Sequence, residues 1–519
     1  MRLLPGAGSP ISLRALLPGA AIQGADDIIV EACVAEVGKV RPGTLFAAMS
    51  RGRGPEAAAI AEAVKRGCRA VLTDQPLSAI GVPVCRVSDT RLAYARLCHA
   101  LAGDPGRKLK VVAVGGSWGK RSTACLVAGV LHAAGYRLGM LGSLGCLDGH
   151  EVSPLAEFPS SPDKTAMLLA RMVASGCSHA ILEAPSNAVL DGRLAGIPLD
   201  ILVLTWVENG PEPQGARRRP VASGDAALTK LLDQLAPEGL GVLNAEDPLL
   251  ATRLGDIDGP VLTVGLNSPA EIRGVDVDQD AGGQTFLLVA GSDIIPVSVR
   301  TPGRAHRIHC LLAAAVGLAY QIDLPVVVRG LESVDYVPVR LERVDSGWPL
   351  PVFVDGAQSA GALTACLEAL RDAVPGQIIC VVGIDHRADR GESQRLIEAA
   401  CQSADTVIVT SGPVDASPGH RRGRPGSSSA EVQFGQGKTT AARRWVRRLG
   451  PRLAEISALG VPVVPERFEA FSAAVARARP GDAVLVLGDD GQEVRAWLSR
   501  VSLPDENYWT NACSTRGSL

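Results

Sequence analysis

Apolar and polar positions along the chain follow two spacings in turn, and this predicts a protein in which strands and helices alternate. Near the N-terminus, EAAAIAEAVKR (56–66) has the periodicity of a helix, and CRAVLTD (68–74) has the length and composition of a strand. VRPGTLFAAM (40–49) predicts a turn followed by a strand, and a second helix is predicted at Thr90–Leu101. We therefore expect a small α/β domain over residues 1–106.

The middle of the chain predicts a second α/β domain, over residues 107–334. It opens at 108–136 with a β-branched strand, a glycine loop and an apolar helix, in that order. The further elements predicted here are strands at 179–183, 200–204 and 239–243, and helices at 225–235 and 309–320.

The last section contains short apolar runs, most of which end in Gly or Asp and precede a helical stretch. Such a pattern predicts a doubly wound, Rossmann-like parallel sheet, which we place at residues 335–501. The runs are VFVDGA (352–357), IICVVGI (378–384), TVIVTSG (406–412) and AVLVLGDD (483–490). The segment SPGHRRGRPGSSS (417–429) predicts a polar, basic loop, and residues 502–519 predict a tail.

Composition excludes several classes of function. The formal net charge is -2 and aromatic residues are 3% of the chain, so we expect neither a nucleic-acid partner nor base-stacking platforms. No apolar run reaches the roughly 18 residues of a membrane span, and the N-terminus is a poor signal peptide. The 12 cysteines form no C-x-x-C pair, which is typical of reduced thiols in a cytoplasmic protein.

The glycine loop at 115–123 carries the strongest chemical signal. Gly116 and Gly119 let the backbone approach a phosphate closely, and Lys120 can reach the terminal phosphates at the start of a helix. The loop matches the short form G-x-x-G-K-[ST], except that Arg121 stands where a magnesium-binding hydroxyl is expected. The alternative is a glycine turn that caps an ordinary strand–helix unit. The residues expected to contact the phosphates are Gly116, Ser117, Gly119, Lys120, Arg121 and Ser122.

An ordered series of segments resembles the Mur ligase family over nearly the whole chain, and in particular its tripeptide synthetases. The resemblance implies three α/β domains, the central one with a parallel sheet like that of P-loop nucleoside triphosphatases and the last one Rossmann-like. The segments are VRPGTLFAAM (40–49), GSWGKRST (116–123), LGSLG (141–145), SSPD (160–163), ILEAPSNAVLDGRLAGIPLDILVLTWV (181–207), LTKLL (228–232), LNAEDP (243–248), VPVRLE (337–342), VDGAQS (354–359) and PERFEAFSAAVARARPGDAVLVLG (465–488).

What the resemblance implies is an ATP- and Mg²⁺-dependent ligase of peptidoglycan precursor synthesis, which joins a UDP-sugar peptide to an amino acid. The resemblance implies that Lys120 binds phosphate and that Glu183 binds magnesium, as does Lys230 if it is carboxylated. It implies nucleotide contacts for Asn244, Asp247 and His306, and closure over ATP by Arg340 and Asp355. Substrate contacts are implied for Ser160 and Ser161. Each residue has a simpler interpretation. Glu183 is then a carboxylate at a strand end, Lys230 lies on a solvated helix face, and Arg340 is a surface ion-pair partner.

Several positions depart from the family pattern, and they lie among the segments to which the resemblance gives binding or catalytic roles. They are Trp118 and Arg121 in the loop, Asn187, His306, His309, Gln358 and Asp489. Magnesium needs several oxygen ligands, so joint losses favour either an altered substrate or lost turnover. Three hypotheses remain open: an active ligase, a catalytically impaired relative that binds nucleotide or precursor, and a ligase redirected to another acid and amine. The oligomeric state is left open.

Overall fold

The computed structural model describes residues 10–49, 57–77, 80–155, 158–208, 224–344, 350–384, 390–411, 461–488 and 491–500. The predicted polar loop at 417–429, the predicted tail at 502–519 and Asp489 lie outside these ranges. The chain divides into two compact units, Met1–Ile272 with Leu312–Gly330, and Arg273–Leu311 with Leu331–Leu519. The three predicted domain ranges stay predictions. No helix in the described part of the chain is long and apolar enough to cross a membrane.

The N-terminal section of the first unit has a five-stranded sheet and a separate antiparallel pair of strands, together with helices. It contains β1 (Ile11–Ser12), α1 (Leu13–Leu16), β2 (Ala21–Gln23), β3 (Ile29–Val30), β4 (Cys33–Val34), β5 (Leu45–Ala47), α2 (Ala57–Lys65), β6 (Ala70–Thr73), β7 (Val84–Arg86) and α3 (Thr90–Leu101). The separate pair is β1 with β3. The strand order of the sheet is β2-β7-β6-β5-β4, with β4 to β7 parallel and β2 antiparallel to β7. The predicted strands and helices of this section are confirmed. Asp89 caps α3 by accepting from the Arg91 and Leu92 amides.

The central section of the same unit is a mostly parallel sheet. It contains β8 (Lys110–Gly115), α4 (Lys120–Ala133), β9 (Leu138–Gly142), β10 (Gly145–Leu147), β11 (Val152–Ser153), α5 (Pro162–Ala174), β12 (His179–Glu183), α6 (Ser186–Leu190), β13 (Leu199–Leu204), α7 (Gly224–Leu232), β14 (Leu235–Asn244), α8 (Pro248–Thr252) and β15 (Val261–Gly265). The strand order is β11-β10-β9-β12-β8-β13-β14-β15, and it is parallel from β9 to β15. The buried residues of β8, VVAV, explain why this strand appears in the sequence as a continuous apolar run.

Two predicted boundaries in the central section are wrong. The helix predicted at 225–235 ends at Leu232, because Leu235 already pairs with Leu199 in β14. The strand predicted at 239–243 is longer for the same reason. The start of β14 was not recognised because Pro237 is unusual inside a strand. Pro237 lies where the register between β13 and β14 shifts, so its missing N–H is tolerated there.

The next elements are β16 (Ile272–Asp280), β17 (Gly283–Ala290), β18 (Asp293–Val299), α9 (Arg304–Ala319) and α10 (Leu324–Glu332). The meander β16-β17-β18, in which β17 and β18 are antiparallel, was not predicted. Its first strand is mostly exposed and charged, so the alternation of buried and exposed positions is clear only in β17, where Phe286 and Leu288 are buried. Helix α9 was predicted to begin at residue 309 but begins at Arg304. The prediction missed the first turns because they contain polar residues, including His306 and Arg307, that are nevertheless buried.

The C-terminal part of the second unit confirms the predicted doubly wound sheet. It contains β19 (Glu342–Val344), β20 (Val352–Asp355), α11 (Ala360–Ala373), β21 (Ile378–Ile384), α12 (Arg390–Ser403), β22 (Thr406–Ser411), α13 (Arg467–Arg477), β23 (Ala483–Leu487) and α14 (Gly491–Leu498). The order is β19-β20-β23-β21-β22, and all but β19 are parallel. Alternate strand residues feed two apolar cores, so Phe353 packs with α11 and α12 on one face, while Val354 packs with α13 and α14 on the other.

Candidate nucleotide-binding site

The predicted phosphate loop joins β8 to α4 in the first unit. Gly116 has φ 129° and Gly119 has φ 85°, which are conformations that favour glycine, and Gly119 precedes the first residue of α4, Lys120. The strand, the glycine turn and the helix start therefore lie in the order that the sequence predicted. Backbone amides at such a helix start, together with the helix dipole, attract a phosphate group.

The loop is fastened to the end of β13. The Ser117 amide donates to the Trp206 carbonyl over 2.5 Å, and the Thr205 hydroxyl, which has a single proton to donate, lies 3.0 and 2.5 Å from the Gly115 and Trp118 carbonyl oxygens. A methyl group at Gly116 would overlap the Thr205 hydroxyl and lie 2.8 Å from the Trp206 carbonyl oxygen. Glycine is thus required at position 116 by close approach as well as by its backbone conformation.

Two indole rings cover this junction. Trp118 and Trp206 stack with ring centroids 4.8 Å apart and planes 7° from parallel. The same two residues form an antiparallel bridge, and the Glu208 amide donates to the Ser117 hydroxyl over 2.9 Å. The sequence singled out Trp118 as a departure from the family loop, but it did not indicate that a second tryptophan 88 positions later would pair with it.

Lys120 bonds to its own loop. Its ammonium donates to the Gly116 carbonyl over 2.7 Å and to the Ser117 carbonyl over 2.9 Å. Beside the loop is a cavity of ≈ 10 Å³, about enough for one water molecule, lined partly by Leu204, Leu228 and Leu231. The two carbonyls therefore hold the ammonium at the glycine loop itself.

Asn244 and Asp247 lie behind the loop and support it. The Asn244 amide donates to the Thr205 carbonyl over 2.9 Å, and one Asp247 oxygen accepts from the Val207 amide over 2.8 Å. The other Asp247 oxygen caps α8. Both residues are buried. Both residues bond to the backbone that follows β13, and this backbone in turn bonds to the phosphate loop. Their direct contact with a nucleotide stays a prediction.

Glu183 ends β12, directly beside the loop strand, since it pairs with Val114 of β8. Its side chain is buried, and both of its carboxylate oxygens lie 2.9 Å from the Ser143 hydroxyl. Arg121 donates from Nε to the same hydroxyl oxygen over 2.8 Å. Ser143 was not predicted as a site residue, although the segment that contains it, LGSLG, was part of the family resemblance.

The donor set here does not fit a divalent cation. Glu183 already shares both oxygens with Ser143, and the first position after Lys120 supplies a guanidinium where a hydroxyl ligand is needed. The next two residues, Ser122 and Thr123, carry hydroxyls, and both are buried. Among the described residues, no group of three or more His, Cys, Asp or Glu side chains is arranged to hold a metal.

The remaining predicted residues of this unit lie on the protein surface or near it. Lys230 is exposed on α7 and its ammonium donates to the Leu190 carbonyl over 3.4 Å. Ser161 precedes α5 as its N-cap residue, and the exposed Ser160 accepts from Lys164 over 2.9 Å. Asn187 is exposed on α6. Carboxylation of Lys230 and substrate binding by the serines stay predictions.

In the second unit, the structure brings Arg340 and Asp355 together. Arg340 is flanked by Val339 at φ 56° and Leu341 at φ 42°, two non-glycine residues in a strained left-handed conformation. The Leu341 amide donates to Asp355 over 2.7 Å, and the Arg340 guanidinium donates to the Val339 carbonyl over 2.7 Å. Such strain persists only where surrounding contacts enforce it, and it is concentrated at functional sites.

Buried titratable groups surround this turn. Burial raises the pKa of Asp355, although the nearby Arg340 opposes the shift. Burial lowers the pKa of His306 to about 4 and that of His309 to about 3, and the pKa of His309 is lowered further because its protonation is opposed by a protonated His306 and by the Arg340 charge. Both imidazoles are therefore neutral at pH 7, which suits them to hydrogen bonding rather than to charge pairing.

Comparison with known proteins identifies relatives along the chain. Family models match residues 114–317 (Mur ligase middle domain) and 339–489 (Mur ligase, glutamate ligase domain). The chain is similar to UDP-N-acetylmuramyl-tripeptide synthetase of Roseiflexus sp. (strain RS-1), with 30% identity over 497 residues that cover 92% of each chain.

Solved structures share the fold. A UDP-N-acetylmuramoyl-L-alanyl-D-glutamate–2,6-diaminopimelate ligase superposes with a TM-score of 0.63 and 20% identity, covering 95% of this chain and 99% of that one. A MurF ligase from Thermotoga maritima in complex with ADP gives a TM-score of 0.54 and 17% identity, covering 94% and 98%.

Proposed function

This chain belongs to the Mur ligase family, and on that premise we propose that it is an ATP-dependent ligase of peptidoglycan precursor synthesis. Its substrates are a UDP-muramoyl peptide, or a related carboxylate, and an amino acid, and its place is the cytoplasm. The observation that carries the proposal is the junction of β8 and α4, where Gly116 and Gly119 have positive φ values that suit a phosphate loop and Lys120 begins the helix. The family names of the relatives support the choice of substrates.

The proposed reaction has two steps. A substrate carboxylate oxygen attacks the terminal phosphorus of ATP, so that the bond to ADP breaks and an acyl phosphate forms. The amino group of the incoming amino acid then attacks the acyl carbon, inorganic phosphate leaves, and the amine loses a proton as the amide forms. Such phosphoryl transfer depends on positioning and on neutralisation of charge. Here the α4 amides and Lys120 hold the phosphates, and the Thr205, Asn244 and Asp247 contacts keep the loop in place.

Phosphate release tests the proposal directly. The full chain is incubated with ATP, UDP-muramoyl-dipeptide and each member of a panel of amino acids, and phosphate is measured together with the mass of the product. We expect turnover with at least one amino acid and its loss in Lys120→Ala. A matched control is Lys110→Ala, which removes an exposed lysine paired with Asp200 at the other end of β8. Unchanged turnover in Lys120→Ala contradicts the assigned site, and no product with any amino acid contradicts ligase activity.

Three observations favour a second candidate, a relative that binds nucleotide or precursor without turnover. The guanidinium of Arg121 and the exposed amide of Asn187 stand where the resemblance implies metal ligands, and Lys120 is bonded to its own loop. A thermal-shift titration with ATP separates the two candidates. Stabilisation by millimolar ATP without phosphate release favours the binding protein, whereas stabilisation with release only for an unexpected amino acid favours a redirected ligase.

A further inference from the structure

A charged chain of three side chains links the phosphate loop to the neighbouring strand ends. Arg121 donates to Ser143, and Ser143 lies 2.9 Å from each oxygen of Glu183. The three residues come from the start of α4, the turn after β9 and the end of β12. The Ser143 hydroxyl thus links the positive guanidinium of Arg121 to the buried carboxylate of Glu183.

The backbone is shaped to allow this arrangement. Strands β9 and β8 flank β12 in the sheet, so the turn after β9 and the phosphate loop meet on either side of Glu183. Gly142 ends β9, and a methyl group there would overlap the Glu183 carboxylate. The carboxylate therefore lies directly against the backbone that carries Ser143, and the serine hydroxyl covers it.

The same arrangement disfavours a divalent cation. A metal bound by Glu183 would have to displace the Ser143 hydroxyl and would face the guanidinium at short range, since two positive charges repel strongly in a partly buried site. A guanidinium carries five N–H donors in a planar fork that matches phosphate oxygens, and its charge does not depend on pH in the ordinary range. Arg121 directly follows Lys120, the residue that is proposed to hold the phosphates.

We propose that the Arg121 guanidinium, held by Ser143 and Glu183, takes the place of the metal ion at the phosphate loop, so that this chain binds the phosphates of ATP without a divalent cation. The inference rests on the proposed function only in taking ATP as the ligand. Arg121 is in this respect a residue that contacts the phosphates, and Ser143 and Glu183 are positioning residues that act through it.

Equilibrium binding of ATP to the full chain tests the inference, measured once with excess Mg²⁺ and once with EDTA. We expect the unmodified chain to bind ATP with Kd values that agree within about twofold in the two conditions, because Arg121 supplies the charge. In EDTA, Arg121→Thr is expected to weaken binding by about tenfold or more, the loss of a charge-assisted contact. Restored dependence on Mg²⁺ is expected in the same variant, since threonine supplies a hydroxyl ligand. Arg137→Ala is the matched control, because that guanidinium also bonds a neutral oxygen, the Ser175 carbonyl, in the same unit.

Glu183→Gln gives a second test that separates the two models. If Glu183 binds a metal, removing its charge weakens ATP binding in Mg²⁺ and leaves binding in EDTA unchanged. If Glu183 positions Arg121, the substitution is expected to weaken ATP binding by about the same factor in EDTA and in Mg²⁺, because the guanidinium loses its support in both conditions. Ser143→Ala is the alternative should Glu183→Gln fail to fold, because it removes the link between the two charged groups, and the same equal weakening is expected.

The outcomes separate this inference from the proposed function. Binding by the unmodified chain that requires Mg²⁺ overturns the inference and leaves the proposed function standing. Unchanged binding by Arg121→Thr in EDTA also overturns it. Absence of ATP binding in both conditions overturns the proposed function, and the inference with it.

Discussion

Replacing Gly116 by alanine probes the packing that fixes the phosphate loop. At this position the backbone has φ 129°, and an added methyl group would overlap the Thr205 hydroxyl and lie 2.8 Å from the Trp206 carbonyl oxygen. The substitution therefore combines backbone strain with a steric conflict against the end of β13. It changes no charge, and it keeps the backbone carbonyl at position 116 that accepts from Lys120.

The size of the effect follows from these two contributions. An alanine in such a sparsely populated conformation costs about 1–3 kcal/mol. The Thr205 hydroxyl must also move, which weakens the hydrogen bond that its single proton shares between the Gly115 and Trp118 carbonyls and that contributes about 1 kcal/mol, and crowding against the Trp206 carbonyl adds about 1 kcal/mol. A control with strain alone is Gly135→Ala, at the other end of α4, where φ is 84° and a methyl group meets nothing within 4 Å. We expect Gly116→Ala to be the more destabilising by about 2 kcal/mol.

Hydrogen exchange measured by mass spectrometry reports this difference locally. The Ser117 amide donates to the Trp206 carbonyl over 2.5 Å, so its exchange requires the loop to detach from β13. A difference of about 2 kcal/mol corresponds to exchange roughly thirtyfold faster in peptides that cover the loop. Circular dichroism from the stacked indoles of Trp118 and Trp206 gives an independent signal, which we expect to weaken in Gly116→Ala and to persist in Gly135→Ala.

Equal exchange rates in the two alanine variants would refute the reasoning, because the steric conflict would then contribute nothing. Loss of the indole signal in Gly135→Ala as well would show that the control perturbs the whole section, and that the effect is not specific to the loop.

Three further predictions concern contacts elsewhere in the two units. Asp247→Ala is expected to destabilise the first unit by about 2–4 kcal/mol in urea unfolding, because it removes both the cap of α8 and the acceptor of the Val207 amide. The second unit is expected to lose stability as the pH falls from about 6.5 towards 4, because His306 and His309 bind protons in the unfolded chain but stay neutral when buried in the folded one. The loss is roughly 3 kcal/mol for His306 alone. The thiols of Cys33 and Cys98 lie 3.7 Å apart, and we expect diamide to join them in a disulfide, faster at higher pH because the pKa of Cys98 is raised by its bond to Cys33 and by burial.

Each of these predictions has a matched control. Asp89→Ala removes a cap of the same kind from α3, but Asp89 accepts only from the two cap amides, whereas Asp247 also accepts from the Val207 amide. An equal loss of stability in the two variants would therefore contradict the role given to the Val207 contact. His306→Asn with His309→Asn should flatten the pH dependence of the second unit, and an unchanged slope would assign it to other groups. The disulfide should stabilise the chain by about 4 kcal/mol through its 65-residue span, and Cys33→Ser should abolish both the bond and the gain.

Local chemistry made much of the fold predictable. Helix α3 has the bounds that its spacing predicted, because its apolar periodicity and its Asp89 cap lie within a dozen residues of one another. The phosphate loop and the four parallel strands of the C-terminal sheet were also identified, since each is a continuous segment whose signal does not depend on its partners. The meander β16-β17-β18 was missed because its first strand is largely exposed and carries charges that hide the alternation.

The sequence by itself thus determined that Lys120 follows a glycine turn at a helix start, and that Arg121 takes the place of a hydroxyl. Only the tertiary structure decided what these residues touch. Arg121 reaches Ser143 across 22 positions, and Ser143 reaches Glu183 across 40, through the sheet order that places β9, β12 and β8 side by side. The support of the loop by Thr205, Asn244 and the second tryptophan has the same origin. Contacts of this kind depend on which strands lie next to each other, and a linear pattern of apolar and polar positions carries no information about that order.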